Sequence, residues 1–544
     1  MTSLDGSSSC SCKRNLLDQP HQFRGNLSGM FSETTQSPDA VDCKHDIPNR
    51  EKWVAGGAVA LALALRLFQL GHKSVWLDEA ASVAIARLSW VHFLALLSDH
   101  EANMALYYGL LRFWLHLGDS AWLIRLPSVL FGIASVWLLY YLASEMFTPR
   151  IALMAAILLA FNAFHVAYSQ EARSYAMAGF FSILSMLVWI RALKQPTRAH
   201  WDAWILVSTL ALYTHLFCGL ILLAQLFSLR WWDEKPFPWQ RILSSLTAYG
   251  VFIFPLAAFV ISRDTNQLSW VPSTHWRDLP MAIGSLSGSG SLGPPGSHFP
   301  SASVALTLGA LAGLALMAYK MYSRTTTTRN RFFLGLAVAW VVVPITLTFA
   351  ASEIRPMFVT RFLIVCLPGI ALSGAYLLGH IPNRWFRAAA MGAWLGFQVI
   401  GLIIYYRSKK DNWRASANLV SDRCKPGDAV LVYPPGPWDL PFNFYYTRDC
   451  RQRSCAPILF PRRLDAYSIY WSGRGAGIVP LHYAMRQVQK MQRRVWIVVY
   501  TRQLGYPPVR AFQDGLMPKW LKWHYRFAHG YSFYGIEVLL FQRR

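Results

Sequence analysis

The chain has 544 residues, 54% of them apolar and only 15% charged, with 23 Trp, 24 Tyr and 32 Phe. A soluble protein carries about a quarter charged residues, and the deficit here falls in long apolar runs, which argues against an ordinary soluble globule. The net charge of +24 does not point to a nucleic-acid partner, because the basic residues gather at the ends of those runs, where they set membrane orientation.

Residues 1–50 are polar, rich in Ser, Asp and Gln, and lack the apolar stretch of a signal peptide; they read as a disordered cytoplasmic tail. Cys10 and Cys12 pair closely but have no further ligands at zinc spacing, so neither a metal site nor a cofactor is expected.

Residues 51–410 read as a membrane domain. The runs Trp53–Leu70, Leu123–Ala143, Ile151–Phe164, Val304–Met317, Leu334–Ala350 and Phe362–Leu378 approach the roughly 20 residues that cross a bilayer. Positive loops at Glu145–Arg150, Arg191–His200, Arg230–Arg241, Ser323–Arg331 and His380–Arg387 mark the cytoplasmic side, so an even number of crossings separates each from the next. That parity makes Ile151–Ala167 and Tyr175–Ile190 a hairpin whose outer tip is 168–173. Between His200 and Arg230 it requires two short helices that turn at Thr214 and His215. Leu106–Leu117 is left as an interfacial helix. An alternative lets Leu106–Leu117 cross and merges the two short helices, but it places Arg191, Lys194 and Arg198 outside. The expected total is about eleven crossings, with an outer loop at Ser262–Ser301, the N-terminus inside and the C-terminus outside.

From residue 411 the pattern becomes that of a soluble α/β domain, 411–544, on the extracytoplasmic side. Helices are expected at Asn412–Arg423 and His482–Gln492, and strands at Ala429–Tyr433, Val495–Tyr500 and Gly535–Phe541. With 20 Lys+Arg against 8 Asp+Glu, this domain suits anionic headgroups or an anionic acceptor. Cys424, Cys450 and Cys455 allow at most one internal disulfide, with Cys450–Cys455 a candidate pairing.

Two acidic loops carry the chemistry. Asp78 and Glu79 are adjacent; on local sequence, Asp78 caps a helix at Ala80–Leu88 and Glu79 lies in its first turn. Glu171 and Arg173 fall on the same side of the membrane, so the loops converge on one site. A carboxylate can accept the proton of a hydroxyl while nearby cations stabilise a phosphate, and the two loops offer both kinds of group. Asp78 suits the base, with Glu79 and Glu171 beside it as catalytic candidates, and Arg173 and Arg361 suit the phosphate. Competing structural readings are an interfacial Glu171–Arg173 pair, a snorkelling Arg361 and a hydrogen-bonded structural His215. His100, Glu101, Asn103, Tyr175 and His215 are the substrate-binding candidates.

At these residues the chain resembles the bacterial GT-C glycosyltransferases of the protein O-mannosyltransferase and aminoarabinose-transferase superfamily, which are glycosyltransferase family 39-like. The resemblance is to an order of motifs over about residues 53–430. Asp78-Glu79 comes first, followed by Glu101–Tyr108, which is similar to Glu-x-Asn-Pro-Pro-Leu-Tyr-Tyr, and by Arg125–Ser128. Tyr168–Ala176, the most specific piece, precedes Tyr213–His215, Arg361–Leu363 and Asp411–Arg414. The resemblance implies an all-α GT-C membrane bundle with a C-terminal α/β domain, a polyprenyl-phosphate-linked sugar donor, and transfer with inversion at the outer face of the cytoplasmic membrane. Asp78 becomes the leading base, and the acceptor is a lipid, glycan or protein among membrane lipids, with no nucleic acid. Met104-Ala105 stand where the family has Pro-Pro, and the last part of the C-terminal domain follows no named pattern. The rival class is a transporter or lipid flippase. No inverted repeat supports it, and the polar residues gather in outer loops instead of mid-helix.

Overall fold

The computed structural model describes residues 49–99, 101–233, 235–262, 271–289, 300–425, 427–433, 438–450, 493–501 and 524–544. The N-terminal tail, His100, the helix expected at 482–492 and Cys455 lie outside the described residues.

Helix α1 (Asn49–Leu67) is followed by three short helices, α2 (Leu77–Ala86), α3 (Trp90–Asp99) and α4 (Ala105–Trp114), before the long α5 (Ala121–Met146). Helix α4 occupies the place expected for the interfacial helix. Helices α6 (Pro149–Phe161) and α7 (Ala163–Ser169) form one apolar run bent by 59°, and Asn162 causes the bend. Its Oδ1 accepts the His165 N–H at 2.9 Å, which caps α7, and its Nδ2 donates to the Leu286 carbonyl at 2.8 Å. Near the break the carbonyls of Leu159 and Ala160 accept from the buried Arg66 guanidinium at 3.4 and 3.2 Å, and Leu159 also takes the Asn162 N–H. Inside a bilayer such groups must find partners within the protein, so Arg66 is a condition for the bend.

Helices α8 (Tyr175–Lys194) and α9 (Arg198–Thr214) come next, then α10 (Gly219–Ser228), α11 (Trp239–Ser262) and α12 (Asp278–Leu286). The bundle is completed by α13 (Pro300–Tyr322), α14 (Thr328–Ile354), α15 (Leu367–Gly379) with a 3₁₀ lead-in at Thr360–Cys366, and α16 (Arg384–Arg407). The expected hairpin tip at 168–173 and the break at Thr214–His215 are both present. A short helix, α12, also lies inside the loop expected at Ser262–Ser301. Close helix approach depends on small residues: a Cβ at Gly313 of α13 would stand 2.2 Å from the Ser373 carbonyl of α15.

Seven described helices are long and apolar enough to cross a membrane, or eight if the bent α6–α7 pair is one span; the chain is a multi-pass membrane protein. The segments that a count of eleven adds are α1, α9 and the apolar helix at Leu216–Trp231, all of which fall below that test.

The C-terminal domain comprises α17 (Trp413–Arg423), β1 (Asp428–Tyr433), α18 (Asp439–Cys450), β2 (Arg494–Tyr500), β3 (Tyr525–Phe533) and β4 (Ile536–Arg543). Its sheet has the order β1-β2-β4-β3, with β1 parallel to β2 and the remaining pairs antiparallel. Every residue of β1 is buried, and the five that follow Asp428 read as one apolar run. Gly535 turns β3 into β4 at φ +77°, and a Cβ there would meet Asp411 Oδ1 at 2.2 Å, so glycine is required twice over. Cys424 is a free thiol.

Candidate active site

The site is organised by Glu79, which is completely buried. Arg125 of α5 grips both its oxygens, Nε to Oε1 at 2.7 Å and Nη2 to Oε2 at 2.8 Å, while the Ala172 N–H donates to Oε1 at 3.1 Å. One carboxylate therefore ties α2, α5 and the 170–173 loop together. Arg125 also donates to the carbonyls of Leu70, Lys73 and Ser74, which fixes the connection out of α1. Burial opposes the charge on Glu79, but Arg125, Lys410 and the Ala172 amide outweigh it and hold the carboxyl well below the usual carboxylate range.

Glu79 also accepts the Trp76 N–H at 3.3 Å, so Trp76 is the residue at the N-terminus of α2. The helix begins at Leu77, one turn earlier than expected, and Asp78 lies inside its first turn instead of capping it. Freed from a capping role, Asp78 is nearly buried and shares the electrostatic field of Arg361, Glu101 and Tyr168.

Arg173 approaches the same place, donating to Ser82 Oγ and the Tyr108 hydroxyl, each at 3.4 Å. Glu101 is buried beside Arg173 and Asp78 and hydrogen-bonds Tyr108. Burial pushes its carboxyl up to about 7, with the Arg173 charge opposing and the Asp78 charge adding. Arg361 lies within electrostatic range of Asp78, Tyr168, Tyr175 and Arg173. The aromatic wall is continuous: ring centres are 5.0 Å apart for Tyr168–Tyr175, 5.8 Å for Tyr175–His215 and 5.2 Å for His215–Phe362. His215 Nδ1 accepts the Phe217 N–H at 3.3 Å, leaving the proton of the neutral ring on Nε2. Neither His215 Nε2 nor the Tyr175 hydroxyl has a hydrogen-bond partner among the described residues, and both atoms are buried.

The structure thus brings Asp78, Glu101, Arg173, Tyr175, His215 and Arg361 together. Asn103 stands at the edge of the group, where its Oδ1 accepts the Leu216 N–H at 3.0 Å and so holds the break after α9. Glu171 faces a different neighbour from the Arg173 suggested by local sequence: its Oε1 meets the Lys410 ammonium at 2.9 Å, and the same ammonium is 3.6 Å from Glu79. Lys410 was not among the expected residues. It follows α16 directly, and only the fold returns that point of the chain to the first loop. Lys73, also unforeseen, donates to the Tyr405 carbonyl and to Ser408 Oγ at the end of α16. Among the described residues no group of three His, Cys, Asp or Glu is arranged to hold a metal ion.

Residues 104–262 match the family described as dolichyl-phosphate-mannose-protein mannosyltransferase. A search of the curated proteins finds no match. Among solved structures, ArnT from Cupriavidus metallidurans in the apo state aligns at a TM-score of 0.56 with 12% identity, over 90% of this chain and 98% of that one. The same enzyme bound to undecaprenyl phosphate aligns equally well, at 13% identity and with the same coverage. The apo oligosaccharyltransferase of Archaeoglobus fulgidus gives 0.49 at 13% identity, over 82% of this chain and 69% of that one. The chain is therefore a multi-pass membrane protein with the GT-C fold of ArnT, carrying across residues 104–262 the sequence pattern of the dolichyl-phosphate-mannose-protein mannosyltransferases.

Proposed function

We propose that the chain is an integral-membrane glycosyltransferase that moves a sugar from a polyprenyl-phosphate-linked donor to an acceptor at the outer face of the cytoplasmic membrane, with inversion. The observation that carries this reading is the meeting of one carboxylate, Asp78, with two arginines, Arg173 and Arg361, at the edge of a membrane bundle. The undecaprenyl phosphate held by ArnT in the same fold supports a lipid phosphate as the ligand.

In the reaction Asp78 takes the proton of an acceptor hydroxyl as its oxygen attacks the anomeric carbon. The bond from that carbon to the phosphate oxygen breaks, and the lipid phosphate leaves with the electron pair. Arg173 and Arg361 neutralise the charge that develops, and the Tyr175 O–H and His215 Nε2–H stand ready as neutral donors to the phosphate oxygens. Burial of Glu101, which raises its carboxyl to about 7, reduces the negative charge it sets beside them. Glu79 and Glu171, grouped at first with the base, serve to hold the 170–173 loop: one is clamped by Arg125 and the other by Lys410. No divalent metal enters this scheme, because arginines suffice for a monophosphate leaving group. A chelator should leave turnover unchanged.

The test is turnover of a polyprenyl-phosphate-linked sugar by the purified protein. Asp78→Asn should lower the rate about a hundredfold or more, the scale of a positioned proton acceptor, with the protein still folded. Turnover near that of the parent would remove Asp78 from the role.

A further inference from the structure

An open cavity bounded by described residues lies outside the proposed catalytic site, without Asp78 in its lining. It has a volume of about 610 Å³ and is formed where the end of α2, the start of α3, the end of α4 and the turn before α5 meet. Its polar lining is Arg87, Arg112, His116 and Asp119, and its apolar lining includes Trp90 and Phe113.

Around this cavity the surface is unlike that of a water-facing loop. Trp90, Val91, Leu94, Phe113 and Leu117 are all more than half exposed, at 51, 77, 58, 63 and 68%. They belong to the short helices between α1 and α5, and apolar side chains beside basic ones suit the boundary between acyl chains and headgroups.

Arg112 is built into the floor. Its Nη1 donates to the carbonyls of Ala86 and Leu88 at the end of α2, and its guanidinium lies 4.0 Å from the Trp90 ring centre. Those contacts explain its position and, among the described residues, occupy only Nη1, so that Nε and Nη2 can meet a ligand. Arg87 pairs with Asp119 across the rim, so those two charges balance. Arg112 is then the net charge of the cavity, and His116 adds to it when protonated. A guanidinium edge beside an aromatic ring, in a cavity rimmed by lipid-seeking side chains, matches a phosphodiester attached to acyl chains.

We infer that this cavity binds the headgroup of an anionic phospholipid, with Arg112 on the phosphate and the exposed face of α3 and α4 along the acyl chains. The site is separate from the donor phosphate site and does not depend on the proposed reaction. A bound lipid of this kind would fix the depth at which α2, and with it Asp78, meets the membrane.

The experiment uses the full-length protein in neutral detergent with phosphatidylglycerol, phosphatidylcholine and soluble glycerol phosphate as probes. Native mass spectrometry measures retention, and a photoreactive phosphatidylglycerol maps the contact. The parent should retain phosphatidylglycerol over phosphatidylcholine, and the photoprobe should label the 86–119 segment. Arg112→Gln should reduce that preference about fivefold, the effect of one basic charge near an anionic headgroup, and Arg112→Lys should keep part of it. Because Arg112 also holds the end of α2, Arg87→Gln with His116→Gln provides a second test outside that contact. It leaves Asp119 unbalanced and should also weaken retention. Equal retention of the two lipids by the parent, labelling elsewhere, or unchanged preference in both variants would overturn the inference. Displacement by glycerol phosphate at matched concentration would equally do so, by showing a site for soluble anions.

Discussion

Arg361 carries the sharpest demand at the scale of single residues. If its guanidinium binds the donor phosphate, Arg361→Lys keeps a charge but loses the planar fork and should retain part of the activity, and Arg361→Ala should lose more. A purely snorkelling arginine would instead lower the yield of folded protein and leave turnover per folded molecule intact. Donor affinity and turnover on protein normalised for folded amount separate the two. Glu101 makes a second prediction at this scale. Burial holds its carboxyl at about 7 in the folded protein against an ordinary 4.5, so between those values the native state binds more protons than the unfolded chain, and this group's contribution to stability falls as the pH rises. Ionisation near pH 7 also places a new negative charge beside Arg173 and Asp78. Binding of undecaprenyl phosphate should therefore weaken as the pH passes upward through about 7, and Glu101→Gln should flatten that part of the profile. A profile unchanged by the substitution would release Glu101 from the phosphate field.

At the scale of elements, the Glu79–Arg125 pair decides whether the site exists at all. Removing one partner leaves a buried charge uncompensated, a loss of about 3–5 kcal/mol, so Glu79→Gln and Arg125→Met should each lower the thermal midpoint sharply. The double variant should lose less than the sum of the two. The depressed Glu79 carboxyl adds stability above the usual carboxylate range, and that stability is lost as the pH falls through its lowered value. Much at this scale was legible in the sequence. Apolar runs located the long helices, and the Tyr168–Ala176 segment located the loop that Glu79 holds. What escaped the reading has physical causes. Strand β3 is half-exposed and carries Arg526, His529 and Gly530, so it lacks an apolar signature. Helix α18 has Pro441 in its first turn and aromatic residues without helical spacing. Lys410 and Lys73 look like ordinary juxtamembrane cations until the fold returns them to Glu171 and Tyr405. Asp78 looked like a helix cap because the local pattern cannot show that Glu79 reaches back to Trp76.

For the whole molecule, the number of crossings turns on the shorter helices, since seven or eight described spans satisfy length and apolarity and α1, α9 and Leu216–Trp231 do not. The break at His215 bears on this directly. Its ring meets Tyr175 at 5.8 Å and Phe362 at 5.2 Å, and Asn103 holds the Leu216 amide, so the turn between α9 and α10 is fastened beside residues proposed to face the donor. If that turn lies at the outer surface, α9 and α10 each cross, and the basic ends of α8 and α10 lie in the cytoplasm, as the positive charges favour. Thinning of the bilayer around such short spans costs fractions of a kcal/mol per Å, a small penalty against burial of the Trp189, Trp201 and Trp204 cluster between α8 and α9. Single cysteines at Ser169, Thr197 and Ser323 should then divide cleanly. On that topology position 169, which is buried, should label slowly and only from outside, whereas 197 and 323 should react only when the cytoplasmic face is exposed. Outside labelling at 197 in sealed cells would mean that α9 and the 216–231 helix act as one span, with α4 supplying the missing crossing. That outcome would also move His215 from the phosphate's neighbourhood to mid-membrane and remove it from the donor site.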